Sequence, residues 1–161
     1  MQVADVHLGS TNITDVELEY PKGLTSRRTL HLDSIKVTDA GLEHLKGLTS
    51  LQCLLLSDTQ VTGPGLEHLK GLTSLHTLHL DNTQVTDAGL EHLKGIELGT
   101  LRLALTRVTD AGLEHLKGLT GLYRLNLDHT RVTDAGLERL KGMAGLGELG
   151  LNHTQVTDAG L

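Results

Sequence analysis

Four arginines, Arg102, Arg107, Arg124 and Arg131, gather in one stretch of a chain whose net charge is −6. Tyr123, Asn126, Asp128 and His129 stand among them, and an apolar Leu105 lies close by. Guanidinium groups take carboxylates through paired N–H donors, and Arg and Tyr are enriched where protein interfaces are strongest. The chemistry to expect from this set is recognition of an acidic or amphipathic partner, not bond making.

The other groups capable of chemistry are ten histidines and one thiol, Cys53. His44, His68, His92 and His115 recur at near-regular intervals and do not converge on one point. Helices packed side by side lie ~8–10 Å apart, too far for compact tetrahedral ligation. No metal and no cofactor is expected. A lone cysteine forms no internal disulfide and no thiolate cluster. No Ser, Thr or Cys is accompanied by a His and carboxylate set of its own, so no catalytic residue is assigned. The glycines recur in register (Gly41, Gly47, Gly89, Gly95) and do not form a phosphate-cradling loop.

Acidic balance argues against a general nucleic-acid binder, which needs a basic face. The opening MQVADVHLGS lacks the basic and apolar regions of a signal peptide. No apolar run approaches the ~20 residues of a membrane span. No membrane partner is expected, and a cytoplasmic location is favoured. Two glycosylation-type triplets, Asn12-Ile13-Thr14 and Asn152-His153-Thr154, carry little weight without a secretory signal.

What must position the arginines is a repeat. Leu42, Leu66 and Leu90 are spaced by 24, Leu90 and Leu113 by 23, and Leu113, Leu137 and Leu161 by 24 again. A period of this size marks a solenoid, whose units bury their apolar faces only by stacking on one another. With no Phe, no Trp and only Tyr20 and Tyr123, the core must be Leu, Val and Ile. The whole chain, 1–161, reads as one quasi-linear domain of about seven units.

Within Leu75–Val85, LHTLHLDNTQV, Leu78 and Leu80 alternate with Thr77, His79 and Asp81 as in a strand. Leu90, Leu93 and Ile96 then recur by threes, as on one side of a helix or 3₁₀ turn. Thr86 is placed as its N-cap, Asp87 complements its positive end, and Gly95 stops it. A right-handed crossover returns the chain to the next parallel strand. Thr11, Thr59, Thr83, Thr106, Thr130 and Thr154 share one position, which Ile35 alone breaks. A hydroxyl repeated at a buried turn is expected to bond backbone groups that the turn leaves unpaired.

This unit resembles the leucine-rich repeat, LxxLxLxxNxL, with Thr83 in place of the usual Asn. The likeness runs along the whole chain. Its second half, TDAGLEHLKGL, is similar to the variable segment of cysteine-containing and short bacterial repeats. The resemblance implies an α/β right-handed solenoid, a curved horseshoe segment with a concave parallel β-sheet and short convex helices. It also implies a non-catalytic module that binds a protein or peptide. Relatives that serve as the sensor or recruiting part of a ligase- or kinase-type assembly supply an alternative.

Breaks in the repeat carry the rest. Pro21 and Arg27 stand where later units have Leu45 and Leu51, so the first units are degenerate and no regular helix is expected at Pro21. Pro64 falls within a first turn, where a missing N–H costs little. The fifth unit is one residue short, with four residues between Ile96 and Leu101 against five between Leu72 and Leu78. There Ala104 and Leu105 replace Asp81 and Asn82 of the unit before. Leu105 either folds back on the rim or awaits a cover. The sequence stops in mid-repeat, and Leu146, Leu149, Leu151 and Val156 are expected to face water. Uncapped ends of this kind could pair with a second copy, giving a homodimer or a self-associating structural unit.

Three columns are expected to face the partner. They are Asp5, Thr29, Cys53, Thr77, Thr100, Arg124, Glu148; then His7, His31, Leu55, His79, Arg102, Asn126, Gly150; then Gly9, Asp33, Ser57, Asp81, Ala104, Asp128, Asn152. At about 4.8 Å per strand the sheet runs roughly 30 Å. Cys53, between Leu55 and Thr77, has nothing to activate it and reads as inert. The candidate binding residues are Arg102, Leu105, Tyr123, Arg124, Asn126, Asp128 and His129. The competing reading is a solvated strand face with an arginine paired to Asp128. Scarce aromatic anchors point to moderate affinity.

Overall fold

A computed structural model describes residues 5–19 and 28–160. Its seven strands are β1 (Asp5–His7), β2 (Thr29–His31), β3 (Cys53–Leu55), β4 (Thr77–His79), β5 (Thr100–Arg102), β6 (Arg124–Asn126) and β7 (Glu148–Gly150). They form one sheet in sequence order, every pair parallel. Each is three residues long because only the central residue must point inward. Leu30, Leu54, Leu78, Leu101 and Leu125 all do so and are buried. The flanking residues therefore share the opposite, open face. Pro21, Arg27 and Tyr20 lie outside the described residues.

Opposite the sheet run short helices: α1 (Asp39–Glu43), α2 (Asp87–Leu90), α3 (Asp110–Leu116) and α4 (Asp134–Leu140). Threefold spacing of the apolar residues yields 3₁₀ geometry in places, at Pro64–Leu69 and at Glu91–Leu93 directly after α2. Pro64 opens its turn at the first helical position, where its missing N–H has no intrahelical role. One continuous Leu-rich core fills the space between sheet and helices.

The buried threonines behave as expected. Thr59, Thr83, Thr106 and Thr130 donate their hydroxyls to the carbonyls of Leu56, Leu80, Leu103 and Leu127 at 2.6–2.7 Å. Ile35, the exception, is simply packed in the core.

The helix starts hold a correction. Thr38, Thr109 and Thr133 cap their helices, each hydroxyl accepting from an alanine N–H two residues on. Each hydroxyl also donates to an aspartate of the preceding repeat: Asp15, Asp87 and Asp110 respectively. Thr86, read as an N-cap, makes no side-chain cap bond. The residue that would orient its hydroxyl is Gly63, where the other units carry aspartate. Asp87, read as a dipole partner of its own helix, spends its carboxylate on the backbone N–H and hydroxyl of Thr109.

The glycines beside these aspartates follow from the same contact. A methyl at Gly65 or Gly112 would overlap the carboxylate of Asp39 or Asp87. Gly95 has a different task. Lys94 is extended (φ −60°, ψ 127°), Gly95 has φ +87°, and the Ile96 N–H reaches the Leu93 carbonyl at 3.1 Å. That is a type II turn, which requires positive φ at its third residue. It closes the helical segment at Leu93, the position at which the helices of the neighbouring units also end.

Candidate functional site

The strand register produces the expected columns. Asp5, Thr29, Cys53, Thr77, Thr100, Arg124 and Glu148 align, as do His7, His31, Leu55, His79, Arg102, Asn126 and Gly150. The third column does structural work. Asp33, Asp81 and Asp128 each accept the backbone N–H of the residue one strand on: Ser57, Ala104 and Asn152.

Across β4–β7 the open face dips into a depression of about 620 Å³. Its wall includes His79, Thr100, Arg102, Arg124, Asn126 and Glu148. Three of the candidate residues, Arg102, Arg124 and Asn126, meet there. Leu105, Tyr123, Asp128 and His129 do not line it.

Neither arginine of the depression pairs with Asp128. Arg102 Nε donates to Asp81 Oδ2 at 2.6 Å. Arg124 grips Glu148 with both Nε (2.5 Å) and Nη2 (2.7 Å). Asp128 lies two residues beyond the end of β6 and already accepts the Asn152 N–H at 2.7 Å. The hydrogen bond from Arg124, and then its charge, hold the Glu148 carboxyl below the usual range. The same bond raises the Arg124 guanidinium. His79 is pushed down, first by burial and then by the charge of Arg102. Cys53 is pushed up by burial, with Asp33 and Asp5 adding to it, which leaves a poorly ionised thiol.

Leu105 is 54% exposed and has φ 58°. It shares that left-handed position with Ser10, Ser34, Asp58, Asn82, His129 and His153. These types tolerate positive φ better than leucine does. Of the two readings of Leu105, exposure is the one observed. Next in this column, His129 stacks on His153 with ring centroids 4.3 Å apart. Tyr123, also 54% exposed, precedes β6 at the other rim. Its ring lies over Gly147, where any side chain would overlap it. His76 covers Gly99 in the same way. The candidate residues thus divide into a central trio and two rims.

Sequence reasoning missed His79 and Glu148 as members of the site. Both stand in the expected columns, and the signal was their register beside the arginines.

Comparison with known proteins agrees with this architecture. Residues 49–95 match the family model described as leucine rich repeats (2 copies). No curated protein matches the chain. Among solved structures, the chain is similar to the crystal structure of an internalin C2 from Listeria monocytogenes, at 25% identity and a TM-score of 0.69. The match covers 97% of this chain and 74% of that one. No helix among the described residues is long and apolar enough to cross a membrane. Leucine-rich-repeat folds serve in general as protein-interaction modules. Seven in-register parallel strands, short helical segments in the described crossovers and the family match make this chain a leucine-rich-repeat solenoid.

Proposed function

We propose that the protein is a non-catalytic interaction module that docks a protein or peptide bearing acidic side chains across β4–β7. One observation carries the reading: Arg102, Arg124 and Asn126 converge on the depression in the open face. Strands three residues long, locked on both sides in a continuous ladder, hold these side chains on a fixed lattice. A partner that docks there loses less free energy to ordering than on a mobile surface.

A segment long enough to cross the strands also meets the two rims. Leu105 and His129 offer apolar and aromatic contact on one side, and Tyr123 on the other. Asp128 contributes by holding β7 in place through Asn152. The arginines are already engaged by Asp81 and Glu148, so an acidic partner shares or displaces those carboxylates. That competition, with few aromatic anchors, favours moderate affinity.

Panning a random peptide library on the protein tests this. Acidic peptides should be enriched, and should be lost on a variant carrying Arg102→Glu with Arg124→Glu. Peptides retained equally by that variant would refute the assignment.

A further inference from the structure

The depression contains more polar atoms than its two arginines, and the balance of their hydrogen bonds is uneven. Asp81 spends Oδ1 on the Ala104 N–H (2.9 Å) and Oδ2 on Arg102 Nε (2.6 Å). Glu148 spends both oxygens on Arg124. Asn126 Oδ1 accepts the Asp128 N–H at 2.8 Å. Each of these acceptors holds a donor. The donors are not exhausted: the two terminal nitrogens of Arg102, Nη1 of Arg124 and Nδ2 of Asn126 take no partner among the described residues.

The orientation of the Asn126 amide is set from two sides. The Asp128 N–H fixes the oxygen edge. Gly150, its register neighbour on β7, leaves room for that edge, since a Cβ there would stand 3.1 Å from Asn126 Oδ1. The nitrogen edge is therefore the free one. Arg102 is the register neighbour on the other side, in β5. Its Nε is tied to Asp81, itself tied to the backbone, so the guanidinium fork is held as well.

We propose that Arg102 and Asn126 form an oxyanion subsite, rigid and donor-only, within the acidic-partner reading above, on which it rests. The group it takes presents acceptors alone, such as the carboxylate of an Asp or Glu side chain or the phosphate of a modified one. Thr100 and His79, each able to donate or accept, line the same depression and adapt to either. Two guanidinium groups face two carboxylates here, so the local charges balance. Selection comes from the direction of the free donors, and added salt moves the affinity less than it would at an uncompensated pair of arginines.

The test is a titration of ¹⁵N-labelled protein with sodium acetate and, separately, with inorganic phosphate. The side-chain resonances of Asn126 Nδ2 and Arg102 Nε are followed. Both should move together and saturate with at least one anion. Saturation by acetate identifies a carboxylate ligand, and saturation by phosphate alone identifies a phosphorylated one. Asn126→Asp keeps the oxygen that accepts from Asp128 and turns the free donor into an acceptor. It should weaken binding about tenfold or more. Asn126→Ser, which can keep the bond to the Asp128 N–H, should behave alike if the aspartate variant disturbs the strand.

No saturable movement with either anion, or unchanged binding by both variants, overturns the subsite. A panned peptide that needs Arg102 and Arg124 but ignores Asn126→Asp also overturns it. That last result leaves the interaction module standing, so the two claims fail separately.

Discussion

Asp87 binds Thr109 twice across the gap between neighbouring repeats, taking its backbone N–H at 2.7 Å and its hydroxyl at 2.7 Å. The same pairing joins Asp15 to Thr38, Asp39 to Thr62, Asp110 to Thr133 and Asp134 to Thr157. Each rung satisfies a threonine N–H, and at Thr38, Thr109 and Thr133 it also orients the hydroxyl that caps a helix. Asp87→Ala strands both donors of Thr109 and should cost about 1–3 kcal/mol in urea unfolding. A double-mutant cycle with Thr109→Val should show coupling between the two, whereas additive losses would mean that the rung carries no energy of its own.

One rung is missing, at Gly63, and its repair is a second prediction. Gly63→Asp should supply the carboxylate that Thr86 lacks and raise stability by about 1 kcal/mol. The repeats approach more closely here than at the Asp87 rung: a Cβ at Gly63 would stand 3.0 Å from Gly89 Cα and 3.2 Å from Gly89 N, so Gly89 must shift by a few tenths of an ångström to seat it. A lower midpoint in thermal unfolding would contradict the prediction.

Leu105 occupies a left-handed backbone position, φ 58°, that costs a residue with a branched apolar side chain about 1 kcal/mol. Leu105→Asn, matching Asn82 one unit earlier, should recover most of that in denaturant unfolding. It should also weaken an enriched peptide that reaches this rim. A stabilised protein with unchanged peptide affinity would remove Leu105 from the contact surface.

The folded state keeps His79 neutral more strongly than the unfolded chain does, since burial and Arg102 lower its pKa from 6.5. Between the two pKa values the unfolded chain binds more protons, so stability rises with pH in that window. The contribution is complete above about 6.5 and is lost as pH falls through the lower folded value. Glu148 acts in the same direction further down, being held below 4.5 by Arg124. Urea midpoints measured from pH 8 downward should fall, and His79→Gln should flatten the upper part of the curve. An unaltered slope in that variant would assign the fall to other groups.

The solenoid was legible because leucine spacing reports directly on burial, and Leu78, Leu101 and Leu125 each sit where the period puts them. The aspartate rungs were not. Asp87 and Thr109 are 22 residues apart, and within its own unit Asp87 fits a helix-dipole role just as well. The glycines at helix starts suffered the same ambiguity, since their need is set by a carboxylate one repeat earlier. The columns of the open face followed from period and register. Which acid an arginine would choose did not, because Asp81, Asp128 and Glu148 all fall near Arg102 and Arg124 in the lattice. Tyr123 stands at a rim because it falls one residue before β6. The strain at Leu105 was readable from the Ser, Asp, Asn and His residues that share its column.

The most direct test of the central claim is to map where a panned acidic peptide binds, by titrating it into ¹⁵N-labelled protein. Resonances of His79, Arg102, Arg124, Asn126 and Glu148 should move, with helices α3 and α4 unmoved. Movement concentrated on the helices, with the open face of β4–β7 silent, would contradict it.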